Sequence, residues 1–508
     1  MRRRTALHSL LALTLCGSAW PLQSLANEVE RAAAGAVSNV VEIQSGKVSG
    51  SSVDEGGAVI RTFKGVPYAA PPVGPLRWKA PQPAAKWSGV RDATQFADRC
   101  AQSAESSMGS AGKISEDCLH LNVVTAAKST KDALPVMVFF HGGGLTSGTG
   151  NSVLYTNTAL PRKGVVLVTV NSRLGPLGYL AHPALSSESE RKVSGNYGTL
   201  DLIASLQWVQ SNIAAFGGDP KNVLIFGESG GGTKTISLLT SPLAKGLFHK
   251  AIVESGSGSI SPERTTTLAT AEASGQRMVE KLGLKDQKDV LGALRSSKWE
   301  DLVAAAVDPK VDFRANLAVD GYVLPVSVND TLKSGKQHDV PLIVGANAGE
   351  ERELKDSVPM LAGLMSKTAK SKTYVYNFSH VPSGWKTLGC SAFHGLELPY
   401  VFGYVPEGLT VPTVLFLGNR AGCKSLQPGA DAKDELVAEH ATTMWAQFAA
   451  TGDPSVKGLV TWPAYTGEGG SYLDIAEKLE VKKGIQQAYI PPPQTPAVGA
   501  EPPASNPR

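Results

Sequence analysis

The stretch Val223-Leu224-Ile225-Phe226-Gly227-Glu228-Ser229-Gly230-Gly231-Gly232-Thr233-Lys234-Thr235 decides how this chain folds. Apolar residues of strand character run into Gly227-Glu228-Ser229-Gly230-Gly231, a G-x-S-x-G pattern, and helix-compatible residues follow. Strand, tight turn and helix in that order are what a nucleophile elbow requires. Glycine at 227 and 231 lets the backbone reverse without Cβ clashes and leaves the Ser229 hydroxyl exposed at the tip, free to attack. A competing pattern overlaps it: four residues separate Gly227 from Gly232, and Thr233-Lys234-Thr235 follows, close to a phosphate-binding loop. That loop needs its lysine directly after the second glycine. Thr233 intervenes and turns Lys234 away by about a third of a helical turn, so the phosphate reading fails on register.

At 508 residues, 42% apolar and 19% charged, the chain has the make-up of a folded globule with ample core. Residues 1–26 read as an export signal, with a basic Arg2-Arg3-Arg4 start, an apolar run from Ala6 to Ala19 and small residues at Ser24-Leu25-Ala26. The apolar run is too short to span a bilayer. Leu15-Cys16 resembles a lipoprotein site but lacks the small residue before the cysteine, and the arginines also fit twin-arginine export. Removing the signal takes three arginines with it and leaves 46 basic residues against 45 acidic, so the net charge falls from +4 to +1. The basic balance belongs to the signal and gives no ground for a nucleic-acid partner. No other segment approaches about eighteen consecutive apolar residues, so no membrane span is expected.

Without Cys16, four cysteines remain: Cys100, Cys118, Cys390 and Cys423. An even number in an exported chain favours disulfides, and sequence neighbours make 100–118 and 390–423 the expected pairs among three connectivities. A secreted or periplasmic location is expected with them.

Downstream of a loosely packed start at 27–40, residues 42–63 read as short strands with turns at Gly46 and Gly50. Residues 64–82 hold too much Pro and Gly for regular structure. Apolar β-type runs at 119–124, 135–140, 165–171, 222–226, 250–254, 340–346 and 373–378 then alternate with helical patterns at 198–215, 232–241, 267–282 and 436–451. Continuous apolar strands between helices predict an α/β fold, a mostly parallel central sheet covered on both faces, over one domain spanning 27–490. Residues 491–508, with three consecutive prolines, read as a disordered tail.

Acyl transfer needs an oxyanion hole, a base and an acid that orients the base. After the run Val136–Phe140 comes His141-Gly142-Gly143-Gly144, the HGGG type of loop, whose unshielded amides can point at a developing alkoxide.

With these motifs in hand the chain resembles the type-B carboxylesterases, the cholinesterase-like branch of the α/β-hydrolases. Matching stretches run from Phe63-Lys64-Gly65-Val66-Pro67 through Ser115–Asn122, His141–Gly144, Asn171–Gly175, Gly195–Gly198, Trp208–Pro220 and Gly227–Gly231 to Asp320-Gly321, His394–Phe402 and Trp462-Pro463. The resemblance implies a Cys100–Cys118 bridge, a Ser…Glu…His triad, and action on small-molecule carboxylic esters with no cofactor or metal. Carried over residue by residue, it implies Ser229 as nucleophile, the amides of Gly143, Gly144 and Gly230 as oxyanion donors, and His394 as base. The family usually has alanine where this chain has Gly230. The acid is implied at Glu350 by aligning Gly345 and Asn347, although Gly349 stands where the family has aspartate; Glu351 is the runner-up. Ser255 matches a serine beside the acid, and Glu228, before the nucleophile, is expected to tune the local field. Arg77, Asp117 and Arg173 fit structural ion pairs, and Lys234 fits a carboxylate partner or solvent. His394 stands only 44 positions after Glu350, fewer than the family's usual helical excursion needs. The shortened insertion predicts a shallower, more open site that accepts bulky or aromatic esters, unless 381–393 and 404–430 refill the wall. The alternative of a non-catalytic adhesion or scaffold relative conflicts with the retained serine, glutamate, histidine and glycine loop.

Overall fold

The computed structural model describes residues 35–103, 112–387, 389–405 and 430–491. The segments read as signal and tail, and Cys423, lie outside the described residues apart from Pro491. So does most of 404–430.

Eleven strands form the principal sheet: β1 (Ser51–Glu55), β2 (Ala58–Pro67), β3 (His120–Thr125), β4 (Leu134–Phe140), β5 (Val166–Val170), β6 (Gly218–Glu228), β7 (Lys250–Glu254), β8 (Leu342–Asn347), β9 (Thr373–Phe378), β10 (Ser471–Ile475) and β11 (Glu480–Lys483). Their spatial order is β11-β10-β9-β8-β7-β6-β4-β5-β3-β2-β1. From β5 across to β10 every neighbouring pair is parallel, and antiparallel pairs finish both edges.

Alternation along the central strands fills both faces. Val136, Val138 and Phe140 of β4 and Val223 and Ile225 of β6 enter one apolar cluster, while Met137, Phe139, Leu224 and Phe226 enter another. Helix α1 (Tyr197–Asn212) brings Leu202 and Leu206 to the first cluster, and α2 (Gly230–Thr240) brings Ile236 and Leu239. Helix α3 (Val358–Thr368) adds Leu361 and Met365 on that side. Helix α4 (Ala432–Thr451) covers the other face with Val437, Met444, Trp445 and Phe448. Strands buried on both sides read as unbroken apolar runs, which is why the central ones were legible.

Strands β10 and β11 fall outside the strands expected from the sequence, and further differences sit at element ends. The stretch expected to be irregular from 64 begins inside β2, which pairs Val66 with Leu121 and Pro67 with His120. Proline is tolerated there because it closes the strand. The strand expected at 222–226 extends to Glu228 and delivers the elbow itself. Helix α4 starts four residues before the expected 436, on a capping box in which Asp431 caps the first turn and the Asp434 side chain returns to the Asp431 amide.

Arg77 and Arg173 form the expected buried ion pairs, with Glu116 at 2.5 Å and Asp201 at 2.7 Å. Asp117 does not join them; it is exposed, and the acidic residue next to it takes the pair.

Candidate active site

The carboxyl ends of β4, β6, β7 and β8 lie side by side, and each contributes to one cluster. Beyond β6, Ser229 turns the chain into α2 with φ 57° and ψ −118°, a strained backbone for a residue carrying a Cβ. The sheet holds it there: the Ser229 amide donates to Glu254 O at 2.9 Å, continuing the β6–β7 ladder. Ser255, next along β7, is also left-handed at φ 47°, and its amide donates to Gly345 O of β8 at 2.9 Å.

Ser255 Oγ donates to Glu350 Oε1 at 2.9 Å, and Glu350 Oε2 accepts from His394 Nδ1–H at 3.0 Å. The loop carrying His394 is tied to the end of β8. The Gly349 amide donates to Ala392 O at 2.9 Å, and Asn347 Nδ2 donates to Phe393 O at 2.7 Å and also contacts Glu397. The runner-up Glu351 is elsewhere: 54% of its side chain is exposed and it pairs with Lys355, one turn on.

The other imidazole nitrogen meets Glu228. His394 Nε2 lies 3.2 Å from Glu228 Oε1. This is an ion-pair approach rather than an aligned hydrogen bond, since that oxygen has no well-directed donor among the described residues. Burial alone would lower the His394 pKa, but Glu350 and then Glu228 outweigh it and hold the imidazole well above its ordinary range. Burial pushes Glu228 up to about 7 against the pull of His394, with Glu350 and Glu353 adding repulsion.

Three more buried carboxyls surround the pair, and the sequence reading missed them. Glu254 is pushed up to about 8 by burial although Trp445 Nε1 donates to it at 2.7 Å. Glu397 is held well above the carboxylate range by burial and by Glu228. Glu353 is raised by burial and Glu350, and it accepts from Ser257 Oγ at 2.5 Å and the Gly258 amide at 3.2 Å. Glu397 stands three residues after His394, so the spacing offered a signal for it. Nothing local announced the other two.

The glycine loop follows β4 and packs directly on the elbow. Gly143 has φ 90°, and its carbonyl accepts from the Thr146 and Ser147 amides at 3.3 and 3.1 Å, closing a tight turn. A Cβ on Gly230 would lie 1.8 Å from Gly144 O, so the loop occupies space that a side chain at 230 would need. Ser229 is partly exposed, and Gly144 and Thr146 are open to solvent. Lys234 has neither the carboxylate nor the solvent expected for it: it is 1% exposed and its Nζ donates to His141 O at 3.0 Å.

Cys100 and Cys118 are bridged, with Cα atoms 4.9 Å apart. Cys390 is buried and also disulfide-bonded. Among the described residues no group of three or more His, Cys, Asp or Glu side chains is arranged to hold a metal, and no helix is long and apolar enough to cross a membrane.

A mainly parallel sheet with a strained serine elbow beside a glycine loop defines an α/β-hydrolase. The chain belongs to the carboxylesterase family, whose profile matches residues 37–360 and 354–490, and it is a carboxylic ester hydrolase. Fumonisin B1 esterase of Sphingopyxis macrogoltabida is 35% identical over 503 residues, covering 86% of this chain and 87% of its own. Para-nitrobenzyl esterase of Bacillus subtilis (strain 168) is 33% identical, covering 87% and 96%. A solved PNB esterase structure superposes with a TM-score of 0.74 at 30% identity, over 89% of this chain and 99% of that one.

Proposed function

We propose that Ser229, His394 and Glu350 are the nucleophile, base and acid of an acyl-enzyme mechanism, with the amides of Gly143, Gly144 and Gly230 as the oxyanion hole. The observation that carries this reading is the chain of contacts from Ser255 through Glu350 to His394 Nδ1, next to the elbow. Glu350 holds the ring in the tautomer with Nδ1 protonated, which frees the Nε2 lone pair. That lone pair takes the Ser229 proton as Oγ attacks the ester carbonyl. The carbonyl electrons move onto oxygen, where the three amides meet the charge. Collapse expels the alcohol, which receives the proton from His394. Water repeats the sequence on the acyl-enzyme, releasing the acid and regenerating Ser229.

Between Glu350 and His394 lie a π-helical turn (Glu353–Ser357), α3, β9 and the short helix Ser383–Lys386. So little chain between acid and base favours an open site and esters with bulky or aromatic groups. A relative named for a para-nitrobenzyl ester fits the aromatic part of that class. The further parts of the reading are one catalytic domain at 27–490, export after Ala26 to a secreted or periplasmic location, and a Cys390–Cys423 bridge.

Treating wild type and Ser229→Ala with a fluorescent organophosphonate and a p-nitrophenyl acyl ester tests the core of it. Labelling and turnover in wild type alone are expected. An unlabelled wild type, or full activity in the variant, would overturn it.

A further inference from the structure

Two buried polar side chains, neither of which touches the reacting atoms, grip the glycine loop from opposite ends. Lys234 lies on α2, five residues beyond Ser229, with its Nζ against His141: 3.0 Å from the backbone oxygen and 3.4 and 3.5 Å from the ring nitrogens Nε2 and Nδ1. Gln102 is 1% exposed and pairs with Gly148 as a strand neighbour would. Its Oε1 accepts from the Gly148 amide at 2.9 Å, and its Nε2 donates to Gly148 O and to Cys100 O, each at 2.9 Å. We propose that Lys234 and Gln102 are positioning residues that fix loop 141–148 over Ser229, so that the amides of Gly143 and Gly144 are aimed before substrate arrives. The role presupposes Ser229 as nucleophile and the loop as oxyanion hole.

The loop needs outside support because of its composition. Glycine stands at 142, 143, 144 and 148, and glycine loses more conformational freedom on ordering than any other residue. The turn closed on Gly143 O orders the middle of the loop but does not tie it to the elbow. Lys234 makes that tie at the start of the loop, using the helix that Ser229 itself caps. Gln102 makes it at the end, two residues past the bridged Cys100. The two anchors also meet: a Cβ on Gly148 would fall 2.4 Å from His141 Nδ1, so Gly148 packs flush on the ring that Lys234 faces. The His141 ring completes the unit, its Nδ1 standing 2.8 Å from Gly142 O.

A lysine buried without a carboxylate partner is costly, and burial pushes its pKa down to about 7. A neutral or charged amine still offers N–H to His141 O, so the tie survives in both states.

Loss of aim at an oxyanion hole is felt in the transition state and not in substrate binding. Lys234→Met and Gln102→Leu remove one anchor each. Active sites are counted with an organophosphonate, turnover is measured on p-nitrophenyl butyrate, and a trifluoromethyl ketone, which forms a tetrahedral oxyanion on the serine, reports on the hole directly. Each variant is expected to lose about 10- to 100-fold in kcat per titrated site with KM within about twofold, and to bind the ketone more weakly by a similar factor. If both variants keep kcat per site and ketone affinity within about twofold of wild type, or if the loss falls on KM alone, the anchoring role is wrong. A wild type that neither labels nor turns over would instead overturn the nucleophile assignment.

Discussion

His394 is held between two carboxyl groups, with Nδ1 3.0 Å from Glu350 and Nε2 3.2 Å from Glu228. No hydrogen bond joins Nε2 to Ser229 Oγ among the described residues, so the nitrogen proposed to accept the serine proton rests against an acid. Only neutral imidazole can act as base, and both acids favour the protonated ring. With His394 as the proposed base, activity is expected to rise as pH climbs through its raised pKa. Glu228→Gln removes one of the two charges and is expected to move the acid limb of the kcat/KM profile to lower pH. A limb that stays in place or moves up would refute this account of Glu228.

Glu350 and Glu351 are neighbours in sequence with opposite surroundings. Glu350→Gln leaves the ring without its orienting carboxylate and is expected to cut kcat by about 10²- to 10⁴-fold. Glu351→Gln breaks an exposed pair with Lys355 and should leave kcat within about twofold. A large loss confined to the Glu351 variant would reverse the assignment.

Gly230→Ala, which restores the residue the family usually carries, places a Cβ 1.8 Å from Gly144 O. The loop must retreat by more than about 1 Å, a displacement that costs on the order of 10²-fold in rate. Steady-state kinetics with wild-type kcat in this variant would show that the loop yields freely.

The buried Lys234 gives stability a definite pH dependence. Its pKa falls from 10.5 to about 7 on folding, so the unfolded chain holds the extra proton between those values and wild-type stability drops as pH falls from about 10 to about 7. Lys234→Met lacks this group. Its stability relative to wild type should improve by about 2–4 kcal/mol between pH 10 and pH 7. Thermal midpoints at several pH values measure it, and a difference that does not change with pH would mean the amine keeps its proton in the folded protein.

Some of this site could be read from the chain and some could not. Ser229, the glycine loop and His394 announced themselves because each sits in a short motif whose backbone demands are local. Glu350 needed the spacing from Gly345 and Asn347, and its identity as the ring's partner rests on how β8 ends. The approach of Glu228 to Nε2 had no sequence signal, because it depends on how a loop 166 residues away closes over the elbow. Lys234 was misread for a similar reason: helical register gave its direction, but its partner is a carbonyl on another strand's loop. The first turn of α4 was missed because Asp431, Lys433, Asp434 and Glu435 carry no apolar signal, although the acid pair is itself a helix start.

The ladder that bends Ser229 has a consequence for how the protein comes into being. Ser229 hangs on Glu254 and Ser255 on Gly345, while the Ala348 amide hangs on Phe378 O at 2.8 Å and the Ser379 amide on Ile475 O at 3.0 Å. Each strand end is thus fixed by one that emerges later from the ribosome. A chain interrupted before its last parallel strand carries the Ser229–Glu254 and Ser255–Gly345 links but leaves the Ser379 amide, at the far end of this series, without Ile475 O. The sheet edge that closes the series is thus the part of the ladder made last.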